Sequence, residues 1–298
     1  MKSCFAKAAL IFSFVSPFYA MDNSPTSAAS STTPAYSADD YQANLSRDEA
    51  QFALKLISPD LPHARTILDI GCGTGNNTAQ IAQIAPHAQI EGIDIGEGMV
   101  AKARALYLDI PNLRFKQADA RLLAYDNQFD MAVSFWCIHS IIDKDSLCKS
   151  IVRALKPAGL VILSATGKTP DQHPIWDSLL DIAQQKQWQP IAQALHTGNQ
   201  YYPLEKKSMH NALENAGCVN IDIKEYPLTL TFKNTDALAH WMHSWIGELP
   251  ALTALNSAER LAFVRALVNR YAQRLGIDPK DLITYDSPQL VIRARKCS

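Results

Sequence analysis

Short apolar runs alternate with helix-period patterns along most of the chain. Ile67-Leu68-Asp69-Ile70 stops abruptly at Gly71, and Ala79, Ala82 and Ala85 then recur at helical spacing behind Asn76-Asn77-Thr78. A short apolar run bounded by glycine reads as a strand, and the pattern behind it reads as a helix. Gln89 to Asp94 reads as a second strand, and Met99, Ala103, Leu106 and Tyr107 as a helix face. Leu113 to Gln117 alternates as a third strand that ends at Ala118-Asp119-Ala120. Phe129 to Phe135 is a near-continuous apolar run, the pattern of a strand buried on both faces. Leu155-Lys156-Pro157-Ala158-Gly159 is expected to end the next helix, and Leu160 to Leu163 to form a fifth strand. Strand and helix in strict alternation predict an α/β fold, a doubly wound, mostly parallel sheet with right-handed crossovers.

The alternation breaks twice after the fifth strand. Val219 to Ile223 reads as a sixth strand and Gln289 to Arg295 as the last, with long helical stretches before each. These are expected to be cap insertions over the sheet edge, at about 166–212 and 233–285. The first carries helical patterns from Ile175 to Trp188 and from Ile191 to Leu195. The second carries Leu238, Trp241, Met242, Trp245 and Ile246, then the run Ala258 to Leu275. At the front, Tyr36, Tyr41, Leu45, Phe52, Leu54, Leu56 and Ile57 predict one amphipathic helix, stopped by Ser58-Pro59. Residues 21–35 are rich in Ser, Thr, Ala and Pro and predict a disordered linker. Residues 1–20 read as a signal-like leader, with Lys2 and Lys7 ahead of an apolar stretch from Ala8 to Val15; translation starting at Met21 is the other reading. The folded domain is thus expected at 36–298.

Composition narrows the partners. Of 298 residues 47% are hydrophobic and 19% charged, which is a globular balance with room for one large core. The net charge is -1 and no basic block stands out, so the footprint expected for nucleic acid or an anionic membrane is missing. A small-molecule partner is expected. The apolar leader is too short to span a bilayer, so no stable membrane insertion is expected either. Six cysteines (Cys4, Cys72, Cys137, Cys148, Cys218 and Cys297) lack C-x-x-C spacing and read as reduced core thiols. His240 and His243 share a helix face without an evident third ligand, so no metal is expected.

The chemistry concentrates at the first strand-to-helix turn. Gly71, Gly73 and Gly75 allow positive φ and close approach of a ligand to the peptide plane. A dinucleotide fingerprint would place its third glycine at position 76, where Asn76 stands, so the spacing here is G-x-G-x-G. Asp94 closes the second strand, where a carboxylate can accept hydrogen bonds from both hydroxyls of a ribose. A turn or capping role is the alternative for Asp94 on its own.

With Asp69 ahead of the glycines, the turn resembles the first motif of S-adenosylmethionine (SAM) dependent methyltransferases of the Rossmann-like class. The resemblance implies a seven-stranded sheet whose last strand is antiparallel, and SAM as cofactor. It implies cofactor contacts at Asp69, Gly71, Gly73, Gly75, Asp94, Ile95, Asp119, Ala120, Ser134 and Phe135, with Asp119 accepting from the adenine amine. Ser134-Phe135-Trp136-Cys137-Ile138-His139, Leu155-Lys156-Pro157 with Gly159, His173-Pro174-Ile175 and the Trp241 region are similar to carboxyl O-methyltransferases of the trans-aconitate and juvenile-hormone-acid type. The similarity runs in order from about Tyr36 to Lys296.

That narrower resemblance implies a small-molecule acceptor methylated on a carboxylate oxygen. His139 is the candidate catalytic residue, as orienting group or base, with a structural histidine as the alternative. Tyr36, Tyr41, Trp136, Trp241 and Trp245 are candidates for the substrate pocket, with Asn44 beside them; ordinary packing is the alternative reading. Two departures weigh against a tricarboxylate substrate: Ser140 stands where the families carry tryptophan, and Gly247-Glu248-Leu249-Pro250 stands where the aconitate enzymes carry an arginine-containing stretch. Another small-molecule O or N acceptor, or a SAM-binding protein without catalysis, stays open. The SAM pool is cytosolic, so a cytoplasmic location is expected, with export as the alternative that the leader raises.

Overall fold

The computed structural model describes residues 38–44, 46–167, 173–191, 204–246, 252 and 255–298. The leader and linker, Tyr36, most of Ile191 to Leu195 and Gly247 to Pro250 lie outside the described residues, as does the side chain of Trp245.

Five strands follow the predicted order: β1 (Thr66–Ile70), β2 (Gln89–Asp94), β3 (Leu113–Gln117), β4 (Phe129–Phe135) and β5 (Leu155–Thr166). With β6 (Cys218–Tyr226) and β9 (Gln289–Lys296) they form a seven-stranded sheet of order β3-β2-β1-β4-β5-β9-β6. The first five run parallel, while β9 is antiparallel to both β5 and β6. The expected architecture is therefore the observed one.

Strand parity sorts the core. Ile67, Met131, Val133, Phe135 and Ile162 face one side, packed under the helices α2 (Arg47–Ile57) and α3 (Asn76–Ile84). Leu68, Ile70, Ala132, Leu163 and Ile292 face the other, under α5 (Lys144–Ala154) and α7 (Lys206–Asn215), while α4 (Glu97–Leu106) flanks β3. Each fully buried aliphatic side chain contributes about 1.5–3 kcal/mol. These two faces make the sheet apolar on both sides, which a parallel sheet under helices requires.

Three local expectations are corrected. The front helix is two helices, α1 (Ala38–Ala43) and α2, because Ser46 caps α2 by accepting from the Glu49 amide at 3.3 Å. Leu155 to Gly159 does not end a helix: α5 stops at Ala154, and Leu155 already pairs with Phe129 as β5 begins. The ladder then shifts register between Phe129 and Met131, opposite the Pro157-Ala158 stretch, where Ala158 has φ 61°. Finally, the cap is not purely helical. Thr229–Phe232 (β7) and Ile283–Asp286 (β8) form a two-stranded antiparallel sheet. Their alternating Leu230, Phe232, Ile283 and Tyr285 turn inward, a period-two pattern too short to stand out beside long helices.

These strands pack with α6 (Pro174–Ala183), α8 (Thr235–Ile246) and α9 (Ser257–Leu275) around a second core that includes Trp241, Phe263, Tyr271 and Tyr285. Asn256 and Glu259 close a reciprocal capping box at the start of α9, and Gly276 ends it in the left-handed region at φ 69°. Such caps fix the helix ends sharply.

Candidate active site

The strand order reverses on either side of β1 and β4, and in open α/β sheets the crevice at that switch point opens beyond the carboxyl ends of the strands. The glycine turn lies there. Gly71, Gly73 and Gly75 all have positive φ, at 71°, 55° and 83°. The amides of Gly71 and Cys72 both donate to the Ile93 carbonyl, at 2.8 and 2.9 Å, which fastens the turn to β2. A Cβ on Gly71 would fall onto Cys137, and one on Gly75 onto the Phe115 ring, so these two glycines are fixed by packing. Gly73 is different: a Cβ there would point at the Tyr41 ring, 3.3 Å away, across the face of the turn.

The carboxylates around this turn are held in specific ways. Asp94 accepts from the Gly73 amide at 2.9 Å through Oδ2 and from the Gly96 amide at 2.8 Å through Oδ1. Burial raises its pKa, and the amide bonds oppose that. Asp69 is buried and accepts from the Thr78 hydroxyl at 2.7 Å; burial pushes it up to about 7. The Thr74 hydroxyl in the turn is fully buried and has no hydrogen-bond partner among the described residues. A glycine turn at positive φ under an aromatic ring, two strand-end carboxylates and an orphaned hydroxyl fit a nucleoside carrying an amino-acid tail, so SAM suits this cradle.

Around the rim, the predicted residues divide. Ser134 is buried and donates to the Ile70 carbonyl at 2.7 Å, which ties the end of β4 to the start of the turn. Phe135 packs in the core, and its ring lies 6.3 Å from that of Trp136. Ile95 is exposed just past Asp94. Asp119 forms an ion pair with Arg121 at 2.6 Å and caps the short turn Ala120–Leu122, so its carboxylate lies well below the usual range. The acceptor capacity expected of Asp119 is thus already shared with a guanidinium.

His139 sits in a 3-10 turn, Ile138–Ser140, just beyond β4. The Lys144 ammonium donates to the carbonyls of Ile138, at 2.8 Å, and Ile141, bracketing that turn. Burial, then the Lys144 charge, depress the His139 pKa to about 4, so its imidazole is neutral near pH 7. Tyr41 lies over Gly73, and its phenol is pushed upward first by burial and then by the charges of Glu49 and Asp94. Trp241 is buried in the cap and donates to Glu49 at 3.2 Å. His240 and His243 meet backbone carbonyls, Asp236 O at 2.8 Å and Ser257 O at 3.2 Å.

Glu49 escaped the sequence reading. Burial pushes its carboxyl up to about 7, and it joins α2 to Trp241 of α8 beside Tyr41. The signal was present: Ser46-Arg47-Asp48-Glu49 has the S-x-x-E form that marks a helix start, which would have placed Glu49 in a first turn at the site edge.

Comparison with known proteins agrees with this geometry. The sequence pattern of the methyltransferase-domain family matches residues 67–159. Trans-aconitate 2-methyltransferase of Deinococcus radiodurans is 38% identical over 108 residues, 36% of this chain and 40% of that relative's length. The Acidovorax ebreus enzyme of the same name is 28% identical over 222 residues, covering 72% of this chain and 79% of the relative. Among solved structures, phosphoethanolamine N-methyltransferase 2 of Haemonchus contortus, in complex with S-adenosylhomocysteine, superposes with a TM-score of 0.55 at 21% identity. That match covers 88% of this chain and 57% of the other and concerns the fold. The chain is a SAM-dependent methyltransferase of the Rossmann-like class. The relatives matched over most of this chain's length are named trans-aconitate 2-methyltransferases.

Proposed function

We propose that the enzyme methylates a carboxylate oxygen of a small organic acid. The observation that carries the reading is the similarity to trans-aconitate methyltransferases over 72% of the chain. When bound, SAM supplies a methyl group made electrophilic by its sulfonium. The chain's own residues hold and shield the partners. The turn that Gly71, Gly73 and Gly75 shape, with Asp69 and Asp94, holds the cofactor; Ile95, Ala120, Ser134 and Phe135 shape its rim.

A carboxylate is already ionised at neutral pH and needs no base. A neutral His139 with a pKa near 4 is too weak a base for an amine or phenol, yet its ring can orient an oxygen by a hydrogen bond. Tyr41, Trp136 and Trp241 exclude water from an anion meeting a cation, where most of the acceleration comes from positioning. A cytosolic SAM pool supports a cytosolic location for the enzyme. The near-zero net charge argues against nucleic acid as substrate, and among the described residues no helix is long and apolar enough to cross a membrane.

The test is the linkage formed. Incubation with methyl-labelled SAM and a panel of acids, amines and phenols should give base-labile label on acids. Label confined to base-stable amine or ether products would overturn the carboxylate reading.

A further inference from the structure

Three polar atoms near the carboxyl ends of β4 and β5 and the amino end of the antiparallel β9 are buried without a hydrogen-bond partner among the described residues: Trp136 Nε1, Ser164 Oγ and Gln289 Oε1. The strand register brings Ser164 and Gln289 together. Phe135 pairs with Ser164, Ser164 with Val291, and Thr166 with Gln289, and paired residues share a face of the sheet. Trp136 follows directly, its amide donating to the Ser164 carbonyl at 3.1 Å. This is the face that α2 covers. The Phe52 ring lies 6.2 Å from Trp136 and 6.3 Å from Tyr226, and Tyr226 is the β6 partner of Gln289. Phe52 therefore lies beside both Trp136 and Tyr226 on this side of the sheet.

An unpaired buried polar group costs about 1–3 kcal/mol, and three in one strip call for an occupant. Their chemistry specifies it. The Trp136 nitrogen only donates, Gln289 Oε1 only accepts, and the Ser164 hydroxyl does either. The Gln289 amide hydrogens are committed to Ser287, at 2.8 Å to its carbonyl and 3.1 Å to its hydroxyl, which fixes the carbonyl oxygen as the free end. A hydroxyl both donates and accepts and so completes the set, whereas a carboxylate has nothing to give Gln289 Oε1.

We propose that Trp136, Ser164 and Gln289 form a hydroxyl-recognition subsite, and that the acceptor is a hydroxylated monocarboxylic acid. The proposal rests on the carboxylate reading above and adds the group that reads the rest of the molecule. A site built to hydrogen-bond a hydroxyl rejects the analogue that lacks it, because its own polar groups are then left unpaired.

The test uses the full chain with SAM and straight-chain acids of graded length, each in unsubstituted, hydroxylated and terminally carboxylated form. Ester formation should favour the hydroxylated acid over both others by at least about tenfold in kcat/KM. Ser164→Ala, Gln289→Met and Trp136→Phe should each bring the ratio of hydroxylated to unsubstituted acid toward unity. The ratio is read within one variant, so a loss of fold alone does not move it, and any one variant that folds suffices. A preference unchanged in the variants, or a parent enzyme that favours the unsubstituted or terminally carboxylated acid, would overturn the subsite and leave ordered water as its occupant. Esters without that preference sink the subsite alone; no ester on any acid sinks the carboxylate reading and the subsite with it.

Discussion

The Asp94 carboxylate accepts the Gly73 amide at 2.9 Å, so the residue that ends β2 is bonded to the turn that ends β1. The same side chain that would meet a ribose also holds the shape of the cradle. Asp94→Ala is therefore expected to weaken SAM by at least about tenfold, since charged hydrogen bonds contribute about 1.5–3 kcal/mol each. Calorimetric titration checks the affinity. An unchanged value would remove Asp94 from the site.

Gly73→Val should abolish cofactor binding and leave the sheet formed. At φ 55° a branched side chain is strained, and its Cβ would stand 3.3 Å from the Tyr41 ring, on the face that the ligand needs. Circular dichroism reads the fold, and the thermal shift given by S-adenosylhomocysteine reads binding. A variant that still binds would show that the turn is not the cradle.

His139→Ala is expected to lower turnover by about 10–100-fold, less than the 10²–10⁴-fold that loss of an obligatory base costs. Because the His139 pKa is depressed to about 4, the imidazole does not change charge at neutral or alkaline pH. Activity on a carboxylic acid should then be flat from about pH 7 to 9. A steady rise over that interval would mean that an acceptor proton must be removed.

The Asp69 and Glu49 carboxyls should each lower stability as pH rises from about 4 to 7, while His139, with its folded pKa depressed to about 4, acts in the opposite sense over that window. Asp69 and Glu49 have folded-state pKa values pushed up to about 7, above the ordinary carboxylate range. Between the unfolded and folded values the native state binds more protons than the unfolded chain, so each further rise in pH favours unfolding, until both groups are ionised. Glu49→Gln keeps an oxygen for Trp241 and should remove the Glu49 share of the fall, so the melting temperature of the variant declines less, or rises more, with pH than that of the parent. An equal slope in parent and variant would show that the Glu49 carboxyl titrates normally.

The glycine turn and the carboxylate beside it, the cofactor half of the candidate site, were legible in the sequence because they are local. Apolar run, glycines, helix and the carboxylate ending the next strand lie within one βαβ unit, where backbone chemistry dictates residue type. The acceptor half was not. Ser164 and Gln289 come from separate parts of the chain and become neighbours only through sheet register, and Glu49 reaches Trp241 only through the seating of α2, neither of which periodicity encodes. Ser164 and Gln289 look like ordinary polar residues in or beside apolar runs. The β7–β8 pair was hidden for the same reason, since four alternating residues become a strand only when a partner far along the chain supplies the other edge.

The position of β9 governs the order in which the protein can be built. It is made after every other described element, yet it lies between β5 and β6 and donates Gln289 to the acceptor side. On the ribosome, β1 to β4 can close on one another while the chain is still growing, but β5 must wait with an open edge until residues 289–296 emerge. An apolar strand with unpaired backbone invites wrong partners during that interval. The two halves of the site thus differ in age within each molecule: the cradle for the methyl donor exists first, and the wall that would read the acceptor arrives with the closing strand.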